Sequence, residues 1–399
     1  MQPTDAPRFP MPRSHPLDPP PDYRVHAAER PIFRVTTPRD EPAWVVTRHD
    51  DVRAVLLDRR FSSDPRSPGF PTYITGDVPP PPGFFLQLDA PDQTRLRKLV
   101  NRQLLLSEME KLRPRMQAIL DELLDTMIAQ GSSADLIRAL AFPMAARVIC
   151  EMLHVPFEDR ELFVGLTDTV LNRSSTAEEV GRAAGELMAY FDRLVQSRRA
   201  AGGPTEDILG RLIATEHDSG VSHAELVGLA ALLLLSGYDT MAQVIGLGVL
   251  VFLLHPQQLA EIQRDAALIP QAVEELLRYL SINHAGLPRA ALEDVEVGGQ
   301  RIRAGEGVLV MINAANRDHA VFDRPDVFDI HRRGLEQHVA FGHGLHKCIG
   351  LTLARVELST VFAGLFRRLP TLQLARGIDD LPFRHEMVLY GVRELPVRW

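Results

Sequence analysis

Cysteine is scarce in this chain. Only Cys150 and Cys348 occur among 399 residues, and they lie far apart. Two cysteines cannot build a disulfide framework, so an apolar core must hold the fold together, and free thiols fit a reducing cytoplasm. The chain is 45% hydrophobic, which is enough for such a core. No shift in composition marks a boundary, so we expect one large domain over residues 1–399.

Excess positive charge is also absent. The formal net charge is −8 and the sequence pI is about 6.0, which argues against a nucleic-acid partner. Residues 1–22 form a proline-rich strap without an apolar run, so they resemble neither a signal peptide nor a membrane anchor. We therefore expect a cytoplasmic protein with no membrane association.

Apolar residues recur at helical spacing through most of the chain after position 92. This spacing predicts helices at 49–56, 92–106, 107–130, 134–154, 157–171, 176–199, 226–254, 273–279 and 351–366. Alternating and β-branched segments predict short strands at 31–35, 43–48, 295–302, 307–312, 372–375 and 388–392. The expected fold class is mainly α with a minor β part.

The most hydrophobic stretch, residues 226–254, meets the length criterion for a transmembrane helix. At 1.5 Å per residue it would span roughly 43 Å, which exceeds the ~30 Å hydrocarbon core. A polar group lies at its centre, where a carboxylate is costly in lipid: Ser236, Tyr238, Asp239, Thr240 and Gln243. A central helix buried in a soluble protein is the better interpretation, and a membrane protein is the alternative.

The presence of a carboxylate, Asp239, in a buried helix requires an explanation, because an unpaired buried charge costs several kcal/mol. One interpretation is an ion pair with an arginine elsewhere in the chain. The other is a proton relay that Asp239 forms with the hydroxyl of Thr240.

Cys348 belongs to the stretch Phe-Gly-His-Gly-Leu-His-Lys-Cys-Ile-Gly, residues 341–350. Glycines on both sides permit a tight turn, and a helix start directly after the cysteine favours its thiolate. Taken alone, such a cysteine is more often a small buried hydrophobe. The pattern Phe-Gly-x-Gly-x-His-x-Cys-x-Gly, however, resembles the signature of the haem-thiolate monooxygenases, the cytochrome P-450 superfamily.

This resemblance implies the cytochrome P-450 fold, in which haem lies between the long central helix and the helix after the cysteine loop. It implies haem b with Cys348 as the axial ligand of the iron, and with Phe341, Gly342 and Gly350 beside the cofactor. A covalently attached haem is not supported, because the chain has no Cys-x-x-Cys-His motif.

The central helix matches the Gly-x-Asp/Glu-Thr motif of the same family at residues 237–240. By this resemblance, Thr240 hydrogen-bonds O2 and Asp239 helps to pass protons toward it. Ser236 and Met241 depart from the residues that are common beside this motif, which predicts a reshaped pocket with the relay retained.

Glu275 and Arg278 lie three residues apart and therefore share a helix face. Alone they indicate a surface ion pair of little energetic value. In the superfamily, a Glu-x-x-Arg pair is buried and completed by an arginine of a Phe-Asp-x-x-Arg segment, which is Arg332 here. The resemblance gives these three residues a structural role that supports the haem site.

Haem carries two propionates, and arginine suits a carboxylate. Arg97, Arg289 and His346 match the usual propionate partners of the family. Gln93 stands where the family often has histidine, and its amide keeps a donor.

A substrate pocket is less readable from the sequence. By resemblance, segments 68–86, 166–180, 232–236, 281–287 and 387–389 would line it, although core packing explains each one equally well. The expected pocket residues are Phe84, Phe85, Leu233, Ser236, Asn283, His284, Leu287 and Val388. They are mostly apolar, so we expect a bulky hydrophobic small molecule. Segments 278–282 and 314–318 resemble actinobacterial members that modify polyketides, macrolides and other secondary metabolites.

The implied reaction inserts one oxygen atom of O2 by hydroxylation or epoxidation. The chain carries no flavin or iron–sulfur domain, so ferredoxin and ferredoxin reductase are the expected electron donors to a monomeric enzyme. A basic cluster that could steer an acidic partner, or be an ordinary solvated face, comprises Arg95, Lys98, Arg102, Arg113, Arg115 and Lys347. Two other functions stay open: a peroxide-driven peroxygenase, disfavoured by the Asp239–Thr240 pair, and a haem-binding sensor or carrier, which would not need that pair.

Overall fold

Helices make up most of the structure. The computed structural model describes residues 6–72, 79–202 and 207–399. Within these ranges the α helices are α1 (Pro21–Glu29), α2 (His49–Leu57), α3 (Asp92–Asn101), α4 (Leu106–Ala129), α5 (Phe142–Leu153), α6 (Arg160–Leu171), α7 (Ala177–Ala201), α8 (Ile208–Ala214), α9 (Glu216–Ser219), α10 (His223–Leu254), α11 (Pro256–Arg264), α12 (Ile269–Leu280), α13 (Ile312–Ala315) and α14 (Leu351–Arg368). The predicted fold class, mainly α with a minor β part, is confirmed.

The strands are short, at two to five residues each. They are β1 (Ile32–Thr36), β2 (Pro42–Val46), β3 (Phe61–Ser62), β4 (Ser133–Asp135), β5 (Leu287–Ala291), β6 (Val295–Val297), β7 (Gln300–Ile302), β8 (Gly307–Val310), β9 (Gln373–Leu374) and β10 (Pro396–Arg398). One sheet has the order β1-β2-β8-β5-β3, in which β2 and β8 run parallel with Val45 opposite Leu309. A second sheet places β10 between β4 and β9.

Several predicted elements differ from the structure. The strand predicted at 295–302 is a hairpin of β6 and β7, because Gly298 and Gly299 both adopt positive φ and turn the chain. The helix predicted from residue 134 begins as β4 and passes through a π helix, Ile137–Ala141, before α5. The predicted strand at 388–392 makes only isolated bridges, and helix α1 was not predicted. Part of the expected pocket loop at 68–86 and of the strap at 1–22 lies outside the described residues.

Helix α10 is the central element. Ser222 and Glu225 form a capping box that fixes its start. Its 32 residues correspond to about 48 Å. The helix is long and apolar enough to cross a membrane, yet 78% of its most apolar window is buried inside the protein. It is therefore a core helix, as the better of the two interpretations predicted.

Helix α14 packs close to α10. The ring of Phe252 on α10 meets the rings of Phe362 and Phe366 on α14 edge to face, each with centroids 5.4 Å apart. Aromatic pairs in this geometry add to the free energy gained by burial. This contact fixes the C-terminal half of α10 against the helix that follows the cysteine loop, so the fold holds the two predicted site elements in a set relation.

Candidate active site

The loop that carries Cys348 presses against helix α2. Gly344 has φ +70°, and a Cβ atom there would lie 2.3 Å from the carbonyl oxygen of Leu56. Only glycine therefore allows this approach. The Cys348 N–H donates to the Phe341 carbonyl at 2.7 Å, which closes the loop directly before α14 begins.

The two cysteines have opposite environments. Cys150 is buried, and burial raises the pKa of its thiol to about 12, so it behaves as part of the core. Cys348 is exposed. Desolvation raises the pKa of its thiol, while the Gly350 N–H and the guanidinium groups of Arg97 and Arg355 act in the opposite direction. A thiolate at Cys348 stays a prediction.

Three of the predicted propionate partners come together beside the loop. Burial, followed by the charges of Arg289 and Arg97, lowers the pKa of His346 to about 3. The Nδ1 atom of His346 is buried without a hydrogen-bond partner. Arg97 donates to the Lys347 carbonyl, and Arg289 donates to the Pro288 carbonyl at 2.7 Å. The two arginines, which repel each other, and the unsatisfied Nδ1 atom of His346 could all be satisfied by an anionic group such as a haem propionate.

Gln93 and Phe341 support the loop. Gln93 is buried, and its Nε2 donates to the Leu345 carbonyl at 2.8 Å, so its amide ties α3 to the loop. Its contact with a propionate stays a prediction. The Arg355 guanidinium lies 4.9 Å from the centre of the Phe341 ring and is paired with Glu274 at 2.6 Å. Phe341 is thus fixed between the loop and α14.

The hydroxyls on α10 line an open part of a helix that is otherwise buried. Thr240 Oγ1 donates to the Ser236 carbonyl at 2.7 Å, and Ser236 Oγ donates to the Leu232 carbonyl at 2.7 Å. Both side chains are partly or fully exposed, whereas Tyr238 and Asp239 are buried. Back-bonding to the preceding turn satisfies each hydroxyl proton and leaves the oxygen free to accept a hydrogen bond.

Asp239 is fully buried and forms an ion pair. Arg384 Nη1 donates to its Oδ1 at 2.6 Å, and Gln243 Nε2 donates to the same oxygen at 3.1 Å. Oδ2 has no hydrogen-bond partner. The second nitrogen of Arg384 reaches Asp168 on α6 at 3.2 Å, and Asp168 is half-exposed. Of the two interpretations of Asp239, the ion pair is present in the structure, and the relay stays a prediction.

Sequence reasoning did not identify Arg384. It is one of many arginines, and 145 residues separate it from Asp239, so no local pattern marks it. Gln243 had a usable signal, because it lies one helical turn from Asp239 on the same face.

The predicted support network is buried. Arg278 donates to Glu275 at 2.7 and 2.8 Å, and Arg332 Nε donates to both carboxylate oxygens at 3.1 Å. The Asp329 N–H adds a fifth bond to the carboxylate at 2.9 Å. Remaining guanidinium nitrogens donate to main-chain carbonyls, such as that of Asn316 at 2.8 Å. A satisfied buried network of this kind makes its surroundings rigid.

The expected pocket residues have different degrees of burial. Phe84, Asn283, Leu287 and Val388 are half-buried and Ser236 is exposed, as lining residues are. Phe85 and Leu233 are buried in the main core.

His284 was expected to be a polar contact in the pocket. In the structure it is buried instead, and its Nε2 forms a hydrogen bond with the Met387 carbonyl at 2.7 Å. Burial, followed by the charge of Arg13, lowers the pKa of His284 to about 3, so the imidazole is neutral.

Several expected pocket segments meet. The Val388 N–H donates to the Leu171 carbonyl at 2.9 Å, and isolated bridges join Asn283 to Leu389 and Asn172 to Met387. The end of α6, the segment after α12 and residues 387–389 therefore share one region. Asn283 Oδ1 is buried there without a partner, so it is the candidate polar contact that remains.

Comparisons with known proteins agree with this geometry. The family model "Cytochrome P450" matches residues 23–389. Cytochrome P450-SU2 of Streptomyces griseolus is 42% identical over 100% of this chain and 98% of its own length. The 20-oxo-5-O-mycaminosyltylactone 23-monooxygenase of Streptomyces fradiae is 39% identical over 98% of this chain and 92% of its own. The structure of CYP105P1 in complex with filipin I superposes with a TM-score of 0.94, at 40% identity and 99% coverage of both chains.

The fold and these matches define a haem-thiolate class of protein, and the chain belongs to the cytochrome P450 family. It is an oxidoreductase of the monooxygenase type, as the sequence resemblance predicted. Members of the family hold a haem iron and use O2. Cys348, with its open thiol, and the group of Arg97, Arg289 and His346 fit that cofactor at its iron and at its propionates.

Proposed function

We propose that this enzyme inserts one oxygen atom of O2 into a bulky hydrophobic secondary metabolite, such as a polyketide or macrolide, by hydroxylation or epoxidation. The observation that carries the proposal is the open face of α10, where Ser236 and Thr240 are the exposed polar groups near half-buried apolar side chains. Two relatives support this substrate class: one is named as a 20-oxo-5-O-mycaminosyltylactone 23-monooxygenase, and the other, CYP105P1, has a structure in complex with filipin I. Bound haem b supplies oxygen activation and insertion.

The protein's own groups hold the cofactor and manage protons. Cys348 is the proposed axial ligand, Arg97, Arg289 and His346 are the proposed propionate partners, and Phe341, Gly342, Gly350 and Gln93 surround or support the haem. Thr240 presents a hydroxyl oxygen toward the open face. Asp239 passes protons toward it, and its unpaired Oδ2 is the atom available for that task while Arg384 holds Oδ1.

Two experiments test the assignment of these residues. The carbon monoxide difference spectrum of the reduced protein is expected to show the strongly red-shifted Soret band of a thiolate ligand, and Cys348→Ser is expected to lose it. Absence of that band in folded wild-type protein would contradict thiolate ligation.

The proton relay is tested by coupling. Thr240→Ala is expected to lower product formed per reduced nicotinamide consumed by about 10-fold or more, since proton delivery contributes 10²–10⁴-fold in general. Thr240→Ser, which keeps the hydroxyl, is the control and is expected to retain most coupling. Equal coupling in wild type and Thr240→Ala would contradict this relay, and the absence of product from the wild type with every panel compound would favour a haem-binding sensor or carrier. Product formation in Thr240→Ala from peroxide alone would favour a peroxygenase.

The substrate class is tested by binding. A panel of macrolactones, polyenes, terpenoids and small aromatics is titrated while the spin state of the haem is monitored by absorbance. Macrolactones and polyenes are expected to shift the spin state at the lowest concentrations. A shift confined to small polar compounds would contradict the proposal.

A ferredoxin and its reductase are the proposed electron donors to a monomeric cytoplasmic enzyme, with residues 1–399 as a single domain. Three members of the expected basic cluster are neutralised in the structure, because Arg95, Arg113 and Arg115 pair with glutamates at 2.5–2.7 Å. Lys98, Arg102 and Lys347 are exposed and form no ion pair among the described residues. These three residues are therefore the proposed docking charges.

Reversal of charge tests the docking surface. Lys98→Glu is expected to raise the KM for ferredoxin at low salt and to have little effect at high salt, since screening removes the steering. Arg113→Glu, at a position already neutralised by Glu110, is the control. Equal effects of the two substitutions would contradict this surface.

A further inference from the structure

The N-terminal strap carries a half-buried arginine, Arg13, in which one edge of the guanidinium group makes no hydrogen bond. Arg13 Nη1 donates to the Asp18 carbonyl at 2.6 Å. Its Nε and Nη2 are buried and have no hydrogen-bond partner. These two nitrogens form the edge of the guanidinium that donates two parallel bonds to a carboxylate. Leaving charged donors unsatisfied costs free energy, so this geometry calls for an acceptor.

Two tyrosines share the region with Arg13. Tyr23 on α1 and Tyr390 near the C-terminus are each 2% exposed, and neither hydroxyl has a hydrogen-bond partner. The Arg13 guanidinium carbon lies 3.9 Å from the centre of the Tyr390 ring. Burial raises the pKa of Tyr390 to about 12 and that of Tyr23 as well, and in both cases Arg13 acts in the opposite direction. Both phenols therefore stay protonated and can donate to an acceptor.

The charges around Arg13 have both signs. Burial, and then repulsion from Arg317, lowers the pKa of Arg13 to about 10 against the effects of the phenols and of Asp18. Asp18 is itself engaged with His15 and Arg317, at 3.5 Å each. Asp22 and Arg173 add one charge of each sign near the site, and the His284 imidazole is neutral. Among the described residues no carboxylate forms an ion pair with Arg13, so its charge favours an anionic ligand.

We propose that Arg13, Tyr23 and Tyr390 form a binding site for a carboxylate group. The free edge of the guanidinium donates to both carboxylate oxygens, and each phenol donates one further hydrogen bond. The site lies behind the expected pocket wall, because Tyr390 follows Leu389, which bridges to Asn283, and the Tyr390 ring lies 5.3 Å from that of His284. The carboxylate belongs to the far end of a substrate or to a free organic acid, since the recognition chemistry is the same.

Thermal unfolding of the haem-loaded protein tests the site without any turnover. Sodium acetate is exchanged for sodium chloride at constant ionic strength, and acetamide serves as the uncharged isostere. Acetate is expected to raise the unfolding temperature saturably, whereas acetamide does not. Arg13→Gln is expected to abolish the rise. Arg8→Gln, on the same strap but in an exposed pair with Asp40 at 2.8 Å, is expected to keep it.

Two shape-preserving variants protect the test against misfolding. Tyr23→Phe and Tyr390→Phe remove only a hydroxyl, and each is expected to weaken acetate binding about 10-fold, the effect of one hydrogen bond to a charged group. No saturable rise in the wild type would show that water alone satisfies these donors and would overturn the proposal. So would an equal rise in Arg13→Gln, or no loss of affinity in either Tyr→Phe variant.

A second titration separates the two sources of the carboxylate. A panel compound that carries a carboxyl group and its methyl ester are each titrated against the haem absorbance with and without acetate. Competition by acetate against the acid but not the ester assigns the site to the substrate. Unchanged titrations of both, together with the acetate-dependent rise in unfolding temperature, assign it to a free organic acid.

Discussion

The carboxylate of Glu275 lies at the centre of the buried network and gives the sharpest test of what stabilises this fold. Glu275 and Arg278 are both fully buried, and Arg332 is 8% exposed. Five hydrogen bonds converge on the carboxylate at 2.7–3.1 Å. Glu275→Gln keeps the size of the side chain but leaves two guanidinium charges without an anion. The removal of one partner from a buried ion pair costs about 3–5 kcal/mol.

An exposed pair of the same type provides the control. Glu110 and Arg113 on α4 are also three residues apart and 2.7 Å from each other, but their side chains are 44% and 42% exposed. Exposed pairs contribute only about 0.2–1 kcal/mol, because water replaces the lost partner. Glu110→Gln is therefore expected to cost less than about 1 kcal/mol.

Urea unfolding of the two haem-loaded variants measures the difference, with far-ultraviolet circular dichroism and haem absorbance as separate probes. Glu275→Gln is expected to lower the unfolding midpoint strongly and to release haem at a lower urea concentration than Glu110→Gln does. Equal destabilisation by the two substitutions would refute the reasoning, since burial is the property that distinguishes the pairs. Coincident transitions from the two probes are required for a two-state value.

Three further predictions concern the loop, α14 and the central helix. Gly344→Ala is expected to abolish haem incorporation, because its Cβ atom would lie 2.3 Å from the Leu56 carbonyl oxygen. Gly342→Ala is the control: at a similar φ of +69° its Cβ atom meets nothing nearer than 3.9 Å, so the substitution should cost only about 1–2 kcal/mol in backbone strain. Equal haem content in the two purified variants would contradict the clash. Burial raises the pKa of Glu357 to about 8 from 4.5, so the folded state retains a proton that the unfolded state has lost between those values, and stability falls as pH rises through that window. The unfolding free energy of Glu357→Gln minus that of wild type should therefore increase by at most about 4 kcal/mol between pH 5 and pH 8. A difference that does not change with pH would contradict a buried neutral acid. Arg384→Met leaves the Asp239 charge buried without its cationic partner, so urea unfolding should show a loss of about 3–5 kcal/mol relative to wild type. A loss below about 1 kcal/mol, the value of an exposed pair, would contradict a stabilising role of this ion pair.

Local patterns predicted the parts of the site in which neighbours in sequence are neighbours in space. Glu275 and Arg278 share a helix face by their spacing, and Gly342 and Gly344 permit the turn before Cys348. Long periodic segments predicted most helices for the same reason, since helical hydrogen bonds join residues four positions apart.

Competing forces within a segment were harder to judge. The helix start beside Cys348 favours a thiolate, whereas desolvation raises the pKa of the thiol, and sequence spacing alone does not rank these two effects. His284 looked like a polar contact in the pocket, yet it satisfies a main-chain carbonyl inside the core. Burial depends on what the rest of the chain places around a residue, and sequence spacing does not contain that information.

The sequence by itself determined the family, the cysteine that is the proposed haem ligand and the polar centre of the long helix. These depend on residue types at short, fixed spacings, which physical chemistry restricts tightly. Only the tertiary structure showed that Asp239 forms an ion pair, because Arg384 reaches it from 145 residues away. It also brought Arg13, Tyr23 and Tyr390 together from opposite ends of the chain. Contacts of this kind arise from the packing of whole elements, and no local pattern specifies them.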